Sequence, residues 1–277
     1  MIDKRYYFYS FSIILSVLAI IFYFVFPLNI GIDLRGGQLV EIETKYKDLK
    51  NIPGEVITSN NSIIIKSNQI NKDQILSEIK KYDPNAQIIR YEEISPSLSR
   101  ELVRKSFWVI ILVLLSISIY VSIVFSEKSG LIKSWLLGLI VLLTLFHDIL
   151  VSFGAYIFLS HFLKFELSIA IIVAFLLIAG FSVHDTIVVF DRLRENVKIK
   201  GVLNKEIFEN SIKQTLTRSI NTSLTAILAI LPLAFLIEIL KPLVITLIIG
   251  FIFGTYSSIC LATPLAYDLL RKINRAS

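Results

Sequence analysis

Six stretches of this chain are each long and apolar enough to cross the hydrocarbon core of a membrane. A core of about 30 Å requires about 20 helical residues. The candidate spans are residues 8–28, 107–125, 134–158, 168–190, 220–238 and 243–268. Because 55% of the 277 residues are hydrophobic, an ordinary soluble domain is excluded. We predict an α-helical integral membrane protein with six transmembrane helices, arranged as one plus five around a polar segment.

The Lys and Arg residues of the short loops predict the orientation of these spans. If the N-terminus is cytoplasmic, fourteen basic residues lie on that side, whereas the short loops of the other face hold only Lys164 and Lys241. Both termini are therefore predicted to be cytoplasmic. The predicted domains are a tail with the first helix (1–28), an external domain (29–106), a five-helix membrane domain (107–268) with a cytoplasmic amphipathic segment (191–219), and a tail (269–277).

The external segment has the pattern of a small α+β domain. GQLVEIETK alternates as a strand does, EVITS and SIIIK form a hairpin joined at residues 60–61, and AQIIRYEEI is a last strand. Between them, NKDQILSEIKKY places Ile75, Ile79 and Tyr82 on one face of a helix. The predicted order is β-β-β-α-β, with a further short helix near residues 47–51.

Two carboxyl groups lie well inside predicted spans, Asp148 in LLTLFHDILVSFG and Asp185 in AGFSVHDTIVVFDRLREN. Each ionisable residue in a span costs about 2.5–3.5 kcal/mol on insertion scales, so each requires a reason. Glu238 and Asp268 lie at span ends, where contact with the interface accounts for them. Proton binding is the favoured interpretation for Asp185. For Asp148, proton binding and a static interhelical hydrogen bond both stay open.

Arg218 is the best candidate for a counter-charge to Asp185. It opens the fifth span in TRSINTSLTAILA, and Asn221 and Thr222 follow where apolar residues are cheaper. Such polar side chains are expected to face a bundle interior. The alternative is that Arg218 extends to the lipid headgroups without any partner.

The sequence predicts neither a metal centre nor a bound cofactor. His147 and His184 each precede an Asp, but neighbouring helical positions point about 100° apart and no H-E-x-x-H motif occurs. The Gly36–Gly37 pair lacks the Gly-Lys-Ser/Thr of a phosphate loop. The basic residues cluster beside apolar spans, as topology determinants do, so nucleic-acid binding is not predicted. Any energy input is expected to be ionic.

Several motifs resemble the SecD/SecF family of the RND superfamily, and specifically its shorter, SecF-type branch. SVHDTIVVFDRLREN, with Asp191 and Arg192, is similar to the fourth-span signature, and RSINTS to the fifth. GIDLRGG, with Gly36 and Gly37, resembles the motif that opens the external domain, and ISPSLSREL resembles a further element before the second span. The chain departs from the SecF pattern in DLRGG, in His184 where Asn is usual, and in a shortened first external helix.

This resemblance implies a subunit that uses the proton motive force to promote late stages of preprotein translocation, not an enzyme. Its implied partners are SecD in a heterodimer, the SecYEG translocon, YajC and an unfolded preprotein, in a bacterial cytoplasmic (inner) membrane. Asp185 and Arg218 correspond to the charged pair of the proton path, with protons as coupling ion, and Asp148, Asn221 and Thr222 are weaker members. The external (periplasmic) domain is implied to be ferredoxin-like.

Three other functions remain open from the residues alone. An RND-type exporter of a small molecule or lipid is the main alternative, although fewer than eighty external residues argue against a ligand-sized cleft. An intramembrane enzyme requires the carboxyls of Asp148 and Asp185 to converge on one site. A passive assembly factor requires neither carboxyl to change its protonation.

Overall fold

The computed structural model describes residues 1–44, 55–58, 62–67, 72–124 and 133–276. The predicted helix near residues 47–51 and the turn at 60–61 lie outside these ranges. The chain divides into two compact units. One comprises Met1–Asn29, Val109–Glu166 and Ala170–Ser277, and the other comprises Ile30–Trp108 and Leu167–Ile169.

Helices account for most of the described residues. They are α1 (Arg5–Val25), α2 (Ile32–Arg35), α3 (Lys72–Lys80), α4 (Pro96–Val124), α5 (Ser134–Leu163), α6 (Ile169–Lys200), α7 (Lys205–Leu236), α8 (Lys241–Ser257) and α9 (Thr263–Ala276). A single π-helical turn, Ser258–Ala262, joins α8 to α9 without a break. Six helical stretches of the described chain are long and apolar enough to cross a membrane, as predicted: α1, α4, α5, α6, α7 and the continuous α8–α9.

The cytoplasmic amphipathic segment predicted at 191–219 is not a separate helix. Its two halves are the end of α6 and the start of α7, and only residues 201–204 interrupt them. Gly201 has a φ of 68°, which ends α6, and the side chain of Asn204 accepts a hydrogen bond from the backbone N–H of Ile207 at 3.0 Å, which begins α7. Phe208 is fully buried, and its ring lies 5.3 Å from that of Tyr267. The apolar face of the segment therefore packs inside the protein, not on lipid headgroups.

Glycines of α8 allow it to approach α6 closely. A Cβ placed on Gly250 would lie 2.2 Å from the side chain of Ile178, and one on Gly254 would lie 3.1 Å from the Cβ of Ser182. The spacing of two small residues four positions apart, in GFIFG, predicts such packing. The close approach brings the polar side chains of α6 and α8 within hydrogen-bonding distance.

The smaller unit contains a four-stranded sheet, and its strands and helix follow the predicted β-β-β-α-β order. The strands are β1 (Gly37–Glu43), β2 (Glu55–Thr58), β3 (Ser62–Ser67) and β4 (Gln87–Ile94), in spatial order β2-β3-β1-β4 with every neighbouring pair antiparallel. Ile75 and Ile79 of α3 are buried in one cluster with Ile42 and Ile63. Tyr82 was expected on the same face, but α3 ends at Lys80 and Tyr82 is exposed.

Candidate functional site: two buried carboxyl groups

Asp148 is fully buried, and side chains of three helices surround its carboxyl group. Ser182 of α6 donates to Asp148 Oδ2 at 2.5 Å, and Ser257 of α8 donates to the same oxygen at 2.6 Å. His147 Nδ1 lies 2.9 Å from Asp148 Oδ1. These two neighbouring side chains therefore meet, although successive helical positions point about 100° apart. The cluster links α5, α6 and α8 through one carboxyl.

Asp185 is also buried, with 2% of its surface exposed. Thr255 of α8 donates to Asp185 Oδ2 at 3.0 Å. The hydroxyl of Thr255 is in turn hydrogen-bonded to that of Ser223 of α7. Ser219, one turn before Ser223, is buried beside Asp185. This second cluster links α6, α7 and α8, so α6 and α8 take part in both clusters.

The end of α8 and the π-helical turn that follows it carry hydroxyls that contact different neighbours. Thr255 contacts Asp185 and Ser257 contacts Asp148, while Ser258 is hydrogen-bonded to Thr186 of α6 at 2.9 Å. The hydroxyl of Thr263 donates to the carbonyl of Ser258 at 2.9 Å, five residues earlier. Single π turns of this kind occur frequently at functional sites.

Arg218 is exposed on α7 and lies within electrostatic range of Asp185, without an ion pair between the two within 4.0 Å in the described structure. Asn221 is likewise exposed, and Thr222 is half-buried with its hydroxyl donating to the carbonyl of Arg218 at 2.8 Å. Ser219 and Ser223 occupy the inner face of the same helix. The polar run of α7 is therefore divided between an inner face toward Asp185 and an outer face.

The motif residues Asp191 and Arg192 lie beyond the carboxyl clusters, near the turn between α6 and α7. Arg192 Nε donates to the side chain of Gln214 on α7 at 2.6 Å, and its guanidinium also pairs with Glu195. Asp191 Oδ1 lies 3.6 Å from Arg194 Nη2. Of these contacts, the one between Arg192 and Gln214 joins α6 to α7, and the other two pair residues within α6.

Gly36 and Gly37 lie in the smaller unit, where α2 leads into β1. Gly36 has a φ of 81°, and a Cβ there would lie 3.0 Å from the Cα of Pro96. Only glycine accommodates both the left-handed backbone and this approach. The GIDLRGG and ISPSLSREL motifs therefore meet, and they line an open cleft of about 560 Å³. Beside it, the Tyr91 hydroxyl donates to Glu93 at 2.8 Å, which holds the pKa of that carboxyl below its ordinary value.

Within the described residues, no three His, Cys, Asp or Glu side chains are grouped so as to hold a metal ion. His184 is exposed, whereas His147 is buried.

Sequence reasoning missed the hydroxyls that contact the carboxyls, Ser182, Thr255 and Ser257, and also Ser223, which contacts Thr255. The run T-Y-S-S at 255–258, inside an apolar span, was the available signal. It is a weak one, because Ser and Thr in a helix commonly bond to their own backbone.

The six apolar helices and the two carboxyls enclosed among them define a multi-pass membrane protein with ionisable groups inside its helix bundle. A family model described as protein export membrane protein SecD/SecF, C-terminal, matches residues 74–272. The chain belongs to this SecD/SecF family. It is 34% identical to the protein translocase subunit SecF of Sebaldella termitidis, over 97% of this chain and 89% of that one. It is 30% identical to the subunit of the same name from Anaerolinea thermophila, over 95% of this chain and 91% of that one.

Solved structures of SecDF share the fold. The crystal structure of SecDF from Thermus thermophilus, a translocon-associated membrane protein, matches with a TM-score of 0.81 and 27% identity. A structure of SecDF in a super-membrane-facing form matches with a TM-score of 0.74 and 27% identity. Each match covers 99% of this chain but only 38% or 39% of the SecDF chain. The present chain therefore corresponds to a little over one third of SecDF.

Proposed function

We propose that this chain is the SecF-type subunit of a SecD–SecF complex, and that it uses the proton motive force to promote late stages of preprotein translocation. SecD is the proposed partner in a heterodimer, with the SecYEG translocon, YajC and the emerging preprotein as further partners. The similarity to translocase subunits named SecF over nearly the whole chain supports the translocation role. The observation that carries the proton coupling is Asp185, a carboxyl buried within a span and contacted by hydroxyls of neighbouring helices.

Proton binding at Asp185 would change the hydrogen bonds between three helices. An ionised carboxylate only accepts hydrogen bonds, so Thr255 donates to it; a protonated carboxyl gains an O–H donor of its own. When the proton is on Oδ2, the oxygen that Thr255 contacts, Thr255 has to accept instead of donating, and its contact with Ser223 changes with it. In this proposal, protonation of Asp185 on α6 changes the contacts of α7 and α8. The positive charge of Arg218 on α7 stabilises the ionised form of Asp185.

The proposed topology has both termini in the cytoplasm, one span before and five after a periplasmic domain at 29–106, and protons as the coupling ion. The basic loop residues support this orientation. A ferredoxin-like fold for the periplasmic domain is supported by its strand order: β3, α3 and β4 form a β-α-β unit with β1 inserted between its two strands. Such split units are the defining feature of ferredoxin-like folds.

The test is preprotein translocation in membrane vesicles containing the full complex. Asp185→Asn keeps the size of the side chain and removes its ability to ionise. We expect the variant to insert and to copurify with SecD, and to lose the part of translocation that depends on the proton gradient. Asp73→Asn, on the exposed face of α3, is the matched control and should behave as wild type. Unchanged gradient-dependent translocation in Asp185→Asn would refute the proposal.

A further inference from the structure

Three buried side-chain atoms of the described part of α5 have hydrogen-bonding capacity that no protein atom meets: His147 Nε2, Ser152 Oγ and Tyr156 Oη. They belong to one stretch of the helix. Other buried hydroxyls of the bundle have protein partners, either a carboxyl group, as for Ser182, or the preceding turn of their own helix, as for Thr144, which donates to the carbonyl of Ile140 at 3.0 Å. Because a buried polar group without a hydrogen-bond partner is destabilising, these atoms call for a partner outside the chain.

The α5 atoms form a line that leads to the first carboxyl cluster. Asp148, Ser152 and Tyr156 are spaced four residues apart, so they lie on one face of the helix. Their exposed fractions are 0%, 1% and 2%. At 1.5 Å per residue, the line covers about 12 Å toward the Leu163 end of α5, which the basic loop residues assign to the external face.

The hydrogen bonds around Asp148 define what His147 offers to a ligand. Ser182 and Ser257 both donate to Oδ2, an arrangement that suits an ionised carboxylate. Because a carboxylate only accepts, Nδ1 of His147, 2.9 Å from Oδ1, is then the donor, and Nε2 of a neutral imidazole is left as an acceptor. One acceptor and two hydroxyls, which both donate and accept, match the two to four polar partners of a buried water.

We infer that Tyr156, Ser152 and His147 line a narrow hydrated passage that connects the Leu163 end of α5 with Asp148. The ligand is water, and the passage is a route separate from the contacts of Asp185. Its role as a proton route rests on the proposed function. A proton entering it passes between hydrogen-bonded waters to Nε2 of His147, and the proton on Nδ1 moves to Oδ1 of Asp148, so the charge of the carboxyl changes from −1 to zero while the waters and the imidazole end neutral.

Cysteine accessibility tests the passage directly. Cys260 is the single cysteine, so Cys260→Ser provides a thiol-free background. Ser152→Cys adds a thiol on the line, and Val151→Cys adds one at an equally buried position that points elsewhere. Lys164→Cys, in the short loop after α5, is the accessible reference. Each variant is treated in sealed right-side-out vesicles with a small, cationic, membrane-impermeant methanethiosulfonate reagent.

We expect Ser152→Cys to react about tenfold faster than Val151→Cys, because the reagent requires water at the thiol. Adding Tyr156→Phe should slow this reaction at least about threefold, since it removes one polar partner of the water and keeps the ring. Equal rates at positions 152 and 151, or reaction of Ser152→Cys from the cytoplasmic side alone, would overturn the inference. The labelling needs no transport, so its outcome is independent of whether Asp185→Asn abolishes translocation.

Discussion

The two buried carboxyls differ in what surrounds them. Asp148 has two serine donors on one oxygen and His147 at the other, whereas Asp185 has Thr255 as its direct donor and a positive charge at longer range. No hydrogen bond joins the two carboxyls in the described structure, and each has its own set of hydroxyl partners.

Ser182→Ala and Ser257→Ala should each lower the free energy of unfolding by about 1–3 kcal/mol, because each leaves a buried carboxyl with one donor fewer. The double variant should lose less than the sum, since both hydroxyls donate to the same oxygen. Thermal unfolding in detergent measures these losses. Thr144→Val, which removes a buried hydroxyl bonded to its own helix, is the control. If the serine variants lose no more free energy of unfolding than Thr144→Val does, a role for the serines at Asp148 is contradicted.

Thr255→Val should impair function more than stability. The substitution keeps the shape of the side chain and removes the hydrogen bond between α8 and Asp185, worth about 1.5–3 kcal/mol for a charged acceptor. We expect gradient-dependent translocation in vesicles to fall at least about tenfold at a wild-type level of the SecD–SecF complex. Thr246→Val, near the start of α8, removes a hydroxyl that bonds to the carbonyl of Pro242 and should have no such effect.

At the level of elements, the crossing of α6 and α8 determines whether the hydroxyls reach their carboxyls. Gly250→Ala places a methyl group 2.2 Å from Ile178, so the helices have to separate or repack. We expect a loss of about 1–3 kcal/mol, typical of overpacking. Gly180→Ala, also inside a helix, meets nothing within 4 Å and should stabilise by about 0.5–1 kcal/mol. If the unfolding temperature shifts in the same direction for both variants, the close contact of α6 and α8 at Gly250 is contradicted.

The sequence predicts the elements better than it predicts their ends. Hydropathy identifies all six helices because span length is imposed by the membrane, and alternation identifies the four strands. Hydropathy does not show that α4 begins at Pro96 or that α6 and α7 continue through 191–219, because polar extensions of a helix carry no hydropathic signal. The buried position of Asp185 follows from its apolar neighbours. The hydroxyls of 255–258 do not stand out, since their partners depend on a π turn and on helix packing.

Three spans of the single chain, α1, α4 and α7, have mostly exposed apolar faces. Lipid suits such faces, but it does not suit the amide of Asn221 on the outer face of α7. Asn221 was expected to face a bundle interior and is exposed here. If a second six-helix subunit packs against α7, Asn221 lies inside a helix bundle although it is exposed in the single chain. The proposed partner SecD would be such a subunit.

Asn221→Leu should therefore weaken copurification with SecD severalfold, because it removes an interhelical hydrogen bond that lipid does not replace. Ile220→Leu changes the adjacent exposed residue, keeps it apolar and should leave copurification intact. The amount of SecD recovered with the tagged chain from detergent extracts is the measurement. Full recovery with Asn221→Leu would place the partner on another face.

Coupling of proton entry at Asp185 to translocation is tested most directly by giving sealed vesicles, in turn, a proton gradient and a sodium gradient. The rate at which a stalled preprotein completes its passage is measured for wild type and for Asp185→Asn. We predict that the proton gradient alone accelerates the wild type, and that neither gradient accelerates the variant. Acceleration of Asp185→Asn by the proton gradient, or of the wild type by sodium at constant pH, would contradict the central role of a proton at Asp185.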